Sequence, residues 1–360
     1  MANSSKDDKS WKNNENIKNT ELEIVFFGLA HDKIVGGVKV TYKHAEMIAS
    51  LGVQSSVYSP YNLGFNCSWF DHNATIRTEH ELNKKSNFIV LPEIWAGRYG
   101  KQLLRAGFRY AIYVQNGYYL NSALNWGHSA AEVKEVYENA NLILSISKDT
   151  TSMISTVYPT VDKKKVIRVF PHVDDGFFPG KKEKIISYMP RKLPVHSKRL
   201  KFYLTEYLPA DWSVVPIENM VASKAADILS RSSIFLSFCD LEGFGLPPLE
   251  AALSGAVVVG YTGQGAREYF KKPNLIAVQN GDLKNFTLKT ADAIKAVDAG
   301  LLDTEEFQKG RALLAEKYGR ENERRQLEAF VKWVEMAFLK SEEFYRFLTI
   351  SSKASSLIVA

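Results

Sequence analysis

Residues 234–270 read IFLSFCDLEGFGLPPLEAALSGAVVVGYTGQGAREYF, and the glycines and prolines in this stretch predict its structure. The apolar run at 234–238 is typical of a strand that is buried on both faces. The paired prolines fit the first turn of a helix, where a missing N–H group costs nothing. Gly255 should end that helix before a second buried strand at 256–259. The stretch therefore predicts two parallel strands joined through a glycine loop and a helix, and ligands bind at the carboxyl ends of such strands.

Two carboxylates follow the first of these strands. Glu242 lies in the glycine loop, and Glu250, with seven residues between the two, falls near the first turn of the helix. Both should therefore face the crevice above the strand ends. A simpler interpretation is that Glu250 complements the helix dipole and Glu242 is solvated. The surrounding glycines and prolines, and a second glycine-rich turn that ends at Glu268, favour a ligand site.

The order Glu-Gly-Phe-Gly-Leu-Pro-Pro-Leu-Glu, followed by a small-residue helix, an apolar strand and the glycine-rich turn, resembles the donor-site signature of glycosyltransferase family 4. The resemblance is strongest over residues 140–270. It implies an α/β protein of the GT-B fold, with two Rossmann-like domains facing across a cleft and a C-terminal helix crossing back to the first domain. It also implies an enzyme that moves a hexose or related sugar from a nucleotide diphosphate sugar to a glycan, lipid-linked or other hydroxyl acceptor, with retention and without metal.

The resemblance assigns roles to residues of this chain. Glu242 would accept hydrogen bonds from the transferred sugar, and Glu250 from the ribose hydroxyls. Arg191 would act with Glu242 in catalysis by stabilising the leaving diphosphate. Family members carry a lysine about five residues after this arginine; that position is His196 here, so Lys192 or Lys198 would have to stand in, and Lys192 is the donor-binding residue that we expect. The other donor-binding residues expected from the resemblance are Gly243, Phe244, Gly245, Leu246, Gly263, Gly265, Gly36 and Gly37.

Gly36 and Gly37 lie in a predicted strand–helix–strand unit at the start of the chain. Strands are expected at 21–27 and 53–58, with a helix from about residue 38. The spacing is not Gly-x-Gly-x-x-Gly, so it does not predict a dinucleotide site. The paired glycines either form a tight turn only or, as the resemblance implies, let the backbone approach the donor phosphates and the acceptor.

Polar residues at two later strand ends are candidates for the acceptor side. Glu93 follows a predicted strand at 88–91, and Gln115 and Asn116 follow one at 110–114. Family members often carry a histidine at such a position, and this chain has none there. The two amides can supply hydrogen bonds but cannot transfer a proton as a base. The next aromatic pair, at 118–119, either stacks on a sugar ring or packs in the core.

Length and composition fit two domains. The chain has 360 residues, of which 45% are hydrophobic. We expect a disordered tail at 1–20, an acceptor-side domain at 21–175, a donor domain at 181–318 and a helix at 320–345 that packs back on the first domain. The tail has no apolar core like that of a signal peptide, and the two cysteines cannot form a disulfide framework. The expected location is therefore cytoplasmic, with possible contact with the inner face of the membrane.

A formal charge of +6 suits an anionic partner. Diphosphate, anionic lipid headgroups and nucleic acid are the candidates, and the basic cluster at 191–201 suits any of them or is simply solvated. The apolar stripe of the predicted helix at 320–340 suits core packing or a membrane face. No DNA-reading motif is present, so a nucleic acid partner is disfavoured. The seven histidines show no paired ligand spacing, and neither a metal nor another cofactor is expected.

Two other functions stay open. One is a GT-B protein that binds a glycan or nucleotide without catalysis, which the absent histidine would allow. The other is a glycosyltransferase that modifies nucleic acid. The interval between Glu242 and Glu250 argues against the first, and the missing DNA-reading motif argues against the second.

Overall fold

The computed structural model describes residues 22–31 and 35–338. It contains two parallel sheets, each covered by helices on both faces. The GT-B architecture predicted from the sequence is therefore confirmed. The predictions for the tail at 1–20 and for residues 339–345 of the last helix lie outside the described residues.

The first sheet has seven parallel strands in the order β3-β2-β1-β4-β5-β6-β7. Its strands are β1 (Glu23–Phe27), β2 (Gln54–Tyr58), β3 (Thr75–Ile76), β4 (Asn87–Pro92), β5 (Arg109–Val114), β6 (Leu142–Ser145) and β7 (Val166–Arg168). Its helices are α1 (Gly36–Ser50), α2 (Lys101–Ala106), α3 (Ala130–Asn139) and α4 (Lys148–Val157). We call this unit the first domain.

The second sheet has five parallel strands in the order β12-β11-β10-β8-β9. Its strands are β8 (Glu183–Tyr188), β9 (Ser213–Pro216), β10 (Ser232–Glu242), β11 (Val257–Gln264) and β12 (Leu275–Val278). The helices that follow along the chain are α5 (Pro194–Tyr203), α6 (Ala222–Arg231), α7 (Leu246–Leu253), α8 (Leu283–Asp298), α9 (Glu305–Lys317) and α10 (Arg320–Phe338). The strands and helices up to α9 form the second domain.

The stretch 234–270 folds as its glycines predict. Gly245 and Gly255 bracket α7 with φ of +84° at both, a left-handed conformation that favours glycine. The paired prolines occupy the first turn of α7. β10 is longer than predicted, because after an irregularity at Cys239 it pairs again at Glu242, which lies opposite Gln264 of β11. Glu242 is thereby fixed at the end of a strand and is not in a free loop.

Several elements of the structure were not predicted from the sequence. A 3-10 helix spans Gly117–Trp126, and α4 begins where the Ser147 side chain accepts a hydrogen bond from the Thr150 N–H. The segment between Arg191 and Asp211 contains α5. Side-chain caps begin the 3-10 helix at Asn116 and α4 at Ser147, and they depend on single residues and not on a long apolar pattern.

Helix α10 belongs to the core of the first domain. Leu327, Phe330 and Val334 are fully buried, and the Phe330 ring lies 6.0 Å from that of Phe88 in β4. The apolar stripe of α10, which from the sequence could face either a membrane or a core, therefore packs in the core. Within the described ranges, no helix is both long and apolar enough to cross a bilayer.

A buried carboxylate on α10 joins three parts of the chain. Glu323 is 1% exposed and contacts His44 of α1, with Nε2 2.8 Å from Oε1. Its other oxygen is hydrogen-bonded to Nδ1 of His172, in the segment that connects the domains. Burial opposes the charge of Glu323, but the two histidines hold its pKa down at about 2. The carboxylate is therefore ionised, and it fixes α10 against both α1 and the connecting segment.

Candidate donor site

Glu242 forms an ion pair at the end of β10. Its Oε1 lies 2.8 Å from Nζ of Lys192, which follows β8, the neighbouring strand of the sheet. Burial opposes the charge of Lys192, but the Glu242 carboxylate raises the pKa of the amine. The two side chains remain 21% and 35% exposed, so a ligand can reach both. The sheet order thus brings together a carboxylate and a cation that are 50 positions apart in sequence.

Arg191 lies beside this pair. Its side chain is exposed, has no ion pair or hydrogen bond among the described residues, and acts electrostatically on Lys192. His196, five positions on, faces elsewhere, with its Nδ1 3.2 Å from the Tyr261 hydroxyl. Lys192 is therefore the amine that lies with Arg191 beside Glu242.

Glu250 faces the first domain from the first two turns of α7. Burial raises the pKa of its carboxyl to about 7, while the charge of Lys39 lowers it and that of Asp174 raises it. Lys39 is in the first turn of α1 and forms an ion pair with Asp174 of the connecting segment. Lys39 was not among the predicted site residues. One signal was available: a lysine in the first turn of a helix opposes the helix dipole and needs another reason to be there.

Two glycines of the site are required by close backbone approach, and a third packs against side chains. A Cβ on Gly243 would lie 1.9 Å from the carbonyl oxygen of Gln115, and one on Gly265 would lie 2.2 Å from the carbonyl oxygen of Gly243. Gly263, with φ of +58°, packs against the Glu242 side chain. The glycine-rich turn therefore packs against Glu242, the predicted sugar-binding carboxylate. The loop at Gly243 contacts the first domain at Gln115.

The side chain of Phe244 lies in the core. Its ring is 6.0 Å from that of Phe170 and nearly parallel to it, and it also packs against Tyr269 and Tyr318. Phe244 can therefore meet a ligand only through its backbone. Leu246 begins α7 and is half-buried.

The paired glycines and Gln115 form one contact in the first domain. The Gln115 side chain donates hydrogen bonds to the Gly37 carbonyl and to Thr41 Oγ1, both at 3.2 Å. A Cβ on Gly37 would lie 2.1 Å from Oε1 of Gln115, whereas one on Gly36 would meet nothing within 4 Å. A side chain at position 37 would therefore displace the end of the Gln115 side chain, whereas one at position 36 would have open space at the start of α1.

Asn116 and Glu93 form a second, more deeply buried contact. The Asn116 side chain donates to the Leu241 carbonyl of the second domain at 2.9 Å, and its backbone N–H donates to Glu93 Oε1 at 3.0 Å. Glu93 is 3% exposed, and burial raises its pKa to about 7. Both residues therefore make structural bonds beside the site, and neither presents a free polar group to an acceptor.

The two tyrosines that follow Asn116, at 118–119, lie in different surroundings. Tyr118 donates its hydroxyl hydrogen to Asp149 at 2.9 Å. Tyr119 is 48% exposed and close enough to act on the charge of Lys192 from the opposite domain. Tyr119 is therefore available to stack on a sugar, whereas Tyr118 is engaged in the first domain.

Glu268 forms hydrogen bonds that link the two domains. Its Oε1 accepts from Arg168 at 2.7 Å and from the Tyr318 hydroxyl at 3.1 Å, and its Oε2 accepts from the Lys148 N–H at 2.7 Å. The side chain is 3% exposed.

In the part of the chain that the structure describes, no three His, Cys, Asp or Glu side chains are grouped to hold a metal ion.

Known proteins share this architecture. A comparison with models of protein families finds no match. The α-1,6-glucosyltransferase of Actinobacillus pleuropneumoniae serotype 7 (strain AP76) is 25% identical over 249 residues, which are 66% of this chain and 72% of the relative. Sucrose-phosphate synthase from Thermosynechococcus elongatus is 14% identical with a TM-score of 0.62, over 88% of this chain and all of that one. Anabaena HepE, solved with UDP-glucose, is 11% identical with a TM-score of 0.62, over 87% of this chain and all of that one.

The structural likenesses establish the fold, and the sequence relative is itself a glycosyltransferase. The resemblance predicted from the donor-site signature is thereby confirmed. The chain has the GT-B fold and is similar to glycosyltransferases, among them those of family 4.

Proposed function

We propose that the chain transfers glucose or a related hexose from a UDP-sugar to a glycan hydroxyl, with a lipid-linked glycan as one form of the acceptor. The observation that carries the proposal is the pairing of Glu242 with Lys192 beside the free cation of Arg191, all at the carboxyl edge of the second sheet. The sequence relative is named for α-1,6-glucosyl transfer, and one structural neighbour was solved with UDP-glucose. UDP-glucose and an α-1,6 linkage are therefore the first to test.

In this proposal the donor lies between the two glutamates. Glu250 accepts hydrogen bonds from the ribose, and Glu242 from the hydroxyls of the transferred sugar. Arg191 and Lys192 face the diphosphate, because guanidinium and ammonium groups form strong charge-assisted hydrogen bonds to phosphate oxygens. Backbone N–H groups of the turn at 263–265 add further donors.

The reaction that we propose proceeds with retention. The bond between the anomeric carbon and the diphosphate oxygen breaks, and the acceptor oxygen bonds to the same carbon on the same face. Gln115 cannot take the acceptor proton, and Glu93 is buried beneath Asn116. The proton therefore passes to the leaving phosphate oxygen, and the cations stabilise the negative charge of the diphosphate as it develops.

A donor screen tests the proposal. UDP and UDP-glucose should raise the melting temperature more than GDP-, ADP- or dTDP-glucose, because a ligand of the folded state stabilises it by about 2.7 kcal/mol at a hundred times its Kd. Arg191→Met should weaken UDP binding about tenfold or more, since hydrogen bonds to charged groups contribute roughly 1.5–3 kcal/mol. Arg105→Met is the control, because this exposed arginine in the last turn of α2 also has no ion pair among the described residues.

The same samples separate an enzyme from a binder. Slow release of UDP from UDP-glucose by the wild type, accelerated by a glycan acceptor that becomes glucosylated, supports a transferase. Binding of UDP-glucose without release of UDP under any condition would favour a non-catalytic protein instead. If no nucleotide raises the melting temperature, the proposed function is wrong. Nucleic acid as an acceptor is tested by adding it to the same assay.

One exposed face of helix α5 is a candidate surface for binding the membrane that carries a lipid-linked acceptor. Val195, Lys198, Arg199 and Phe202 of α5 have the spacing of a single helical face. Val195 and Phe202 are 56% and 75% exposed, and the two cations form no ion pair among the described residues. Large exposed apolar side chains flanked by cations are typical of helices that lie at an anionic bilayer surface. We therefore propose that this face of α5 binds anionic lipid.

Vesicle sedimentation tests this surface. The protein should sediment with phosphatidylglycerol vesicles but not with phosphatidylcholine vesicles, and less so at high salt. Phe202→Ser and the double variant Lys198→Gln/Arg199→Gln should each reduce the bound fraction severalfold. Leu313→Ser, at an exposed leucine of α9, is the control. If Phe202→Ser binds the vesicles as well as the wild type does, the face does not bind lipid. If the wild type is a dimer that Phe202→Ser dissociates, the face binds a second copy of the chain instead.

A further inference from the structure

Leu241, the residue before Glu242, has a strained backbone conformation. Its φ is +45°, in the left-handed region that residues with a bulky side chain rarely adopt, because Cβ crowds the backbone there. Leu241 lies in a bulge of β10, where two residues, Asp240 and Leu241, face the single residue Gly263 of β11. Bulges next to active sites re-aim a side chain of the bulged strand. The strain therefore lies directly before the carboxylate that we propose to bind the sugar.

Asn116 of the first domain holds the carbonyl group of Leu241. Its Nδ2 donates a hydrogen bond to the Leu241 carbonyl oxygen at 2.9 Å. The other end of the amide is also engaged, since Oδ1 accepts from the Tyr118 N–H at 3.0 Å, and the residue is buried. The backbone N–H of Asn116 donates to the buried Glu93 at 3.0 Å. Asn116 is therefore fixed at three atoms, with its NH₂ group directed at Leu241.

The bond from Asn116 acts on the peptide group that joins Leu241 to Glu242. This group is planar, so fixing its carbonyl oxygen also fixes the direction in which the Glu242 Cα leaves it. On its other side the Glu242 side chain is confined by Gly263, where a Cβ would lie 3.0 Å from the Cβ of Glu242. From this position the Glu242 carboxylate reaches Lys192 at 2.8 Å. A rotation of the peptide group would therefore turn the carboxylate away from Lys192.

We propose that Asn116 is a positioning residue for Glu242, and that it acts by holding the strained peptide group at Leu241 from across the cleft. The inference rests on the proposed function, in which Glu242 accepts hydrogen bonds from the transferred sugar. A leucine favours negative φ when nothing opposes it. Without the bond from Asn116, Leu241 relaxes towards negative φ and Glu242 loses its orientation towards the sugar.

Kinetics with UDP-glucose and a glycan acceptor test this role in three backgrounds. Asn116→Ala should lower kcat about tenfold in the otherwise wild-type chain, as expected for the loss of one hydrogen bond to a buried group. In the Leu241→Gly background it should lower kcat less than about threefold, because glycine adopts a positive φ without strain. Leu241→Ala is the matched control. It also removes the leucine side chain but keeps a Cβ, so the loss of about tenfold should persist in that background.

Two results of these kinetics would overturn the inference. Equal losses in all three backgrounds would mean that Asn116 acts independently of the strain at Leu241. A change confined to the acceptor KM would mean that Asn116 binds the acceptor directly. If Asn116→Ala does not fold, Asn116→Asp takes its place, because an ionised aspartate keeps the oxygen that accepts from Tyr118 but cannot donate to Leu241.

Melting temperatures test the strain without any variant of Asn116. Leu241→Gly should melt at a higher temperature than Leu241→Ala, because a Cβ is unfavourable where φ is positive. At an unstrained position the order is the reverse, since alanine restricts the unfolded chain more than glycine does. A lower melting temperature for Leu241→Gly would therefore overturn the inference.

Crystal structures of the variants need neither donor nor acceptor. In Asn116→Ala, φ of Leu241 should become negative and the Glu242 carboxylate should leave Lys192. In Asn116→Ala/Leu241→Gly, the positive φ and the pairing with Lys192 should return. If these changes occur in a protein that transfers no sugar, the proposed function fails and the control of Glu242 by Asn116 stands. An unchanged Leu241 and Glu242 in Asn116→Ala would overturn the inference whatever the activity.

Discussion

Replacing Glu242 by Gln should lower the rate of sugar transfer at saturating donor about 100-fold. The change removes the charge that pairs with Lys192 and weakens the hydrogen bonds to the transferred sugar. Bonds to a charged group contribute roughly 1.5–3 kcal/mol, and a factor of 100 in rate corresponds to about 2.7 kcal/mol. The effect should fall mainly on kcat, because positive charge develops on the sugar only as its bond to the diphosphate breaks.

Asp211→Asn is the matched control for Glu242→Gln. Asp211 pairs with Lys184 at 2.7 Å, in the same way that Glu242 pairs with Lys192, but it precedes β9 at the opposite edge of the sheet. Its substitution should leave kcat within about twofold, since exposed ion pairs contribute little. Kinetics of both variants with UDP-glucose and a glycan acceptor provide the measurement. An unchanged kcat in Glu242→Gln would show that this carboxylate does not hold the sugar.

Replacing Glu323 by Ala should destabilise the protein by about 3–5 kcal/mol near pH 6. The variant removes a buried carboxylate and leaves His44 and His172 without their partner, and breaking buried pairs has costs of this size. Glu328→Ala, five residues further along α10, is the control, because Glu328 forms only an exposed pair with Arg324. That variant should lose less than about 1 kcal/mol. Chemical denaturation of both variants measures the difference.

The effect of Glu323→Ala should depend on pH in a defined way. The folded-state pKa of Glu323, about 2, is below that of an unfolded glutamate, so its stabilisation is complete above ~4.3 and is lost as pH falls towards 2. The pKa of His172 is raised, so its contribution is present below ~6.5 and is lost at higher pH. The difference between wild type and Glu323→Ala should therefore be largest between these limits. A difference that is constant from pH 3 to pH 8 would contradict the charged pairing.

The elements around the donor site were predictable because local backbone geometry restricts which residues fit there. Gly245 and Gly255 adopt conformations that L side chains rarely adopt, and the prolines fit only the first turn of α7. The short interval between Glu242 and Glu250 places both at the same edge once strand and helix are assigned. Such features extend over fewer than 40 residues, so a single sequence contains them.

Contacts between distant parts of the chain left no comparable signal. Glu323 and His44 are 279 positions apart, and the sequence around neither residue indicates a contact with the other. The sequence predicts Gln115 and Asn116 for the acceptor side, and it does not indicate that their amides bond to the paired-glycine segment and to the second domain. A polar residue at a strand end can serve a ligand or a neighbouring loop, and only the tertiary structure distinguishes these uses.

The packing of α10 has a consequence for how the protein matures during synthesis. The last described helix supplies Leu327, Phe330 and Val334 to the core beneath the first sheet. A ribosome delivers these side chains after every strand of both sheets, so the nascent first domain emerges with the apolar surface around Phe88 uncovered. The first domain is thus completed only after the second sheet has been synthesised, and during that interval it is a natural client for chaperones.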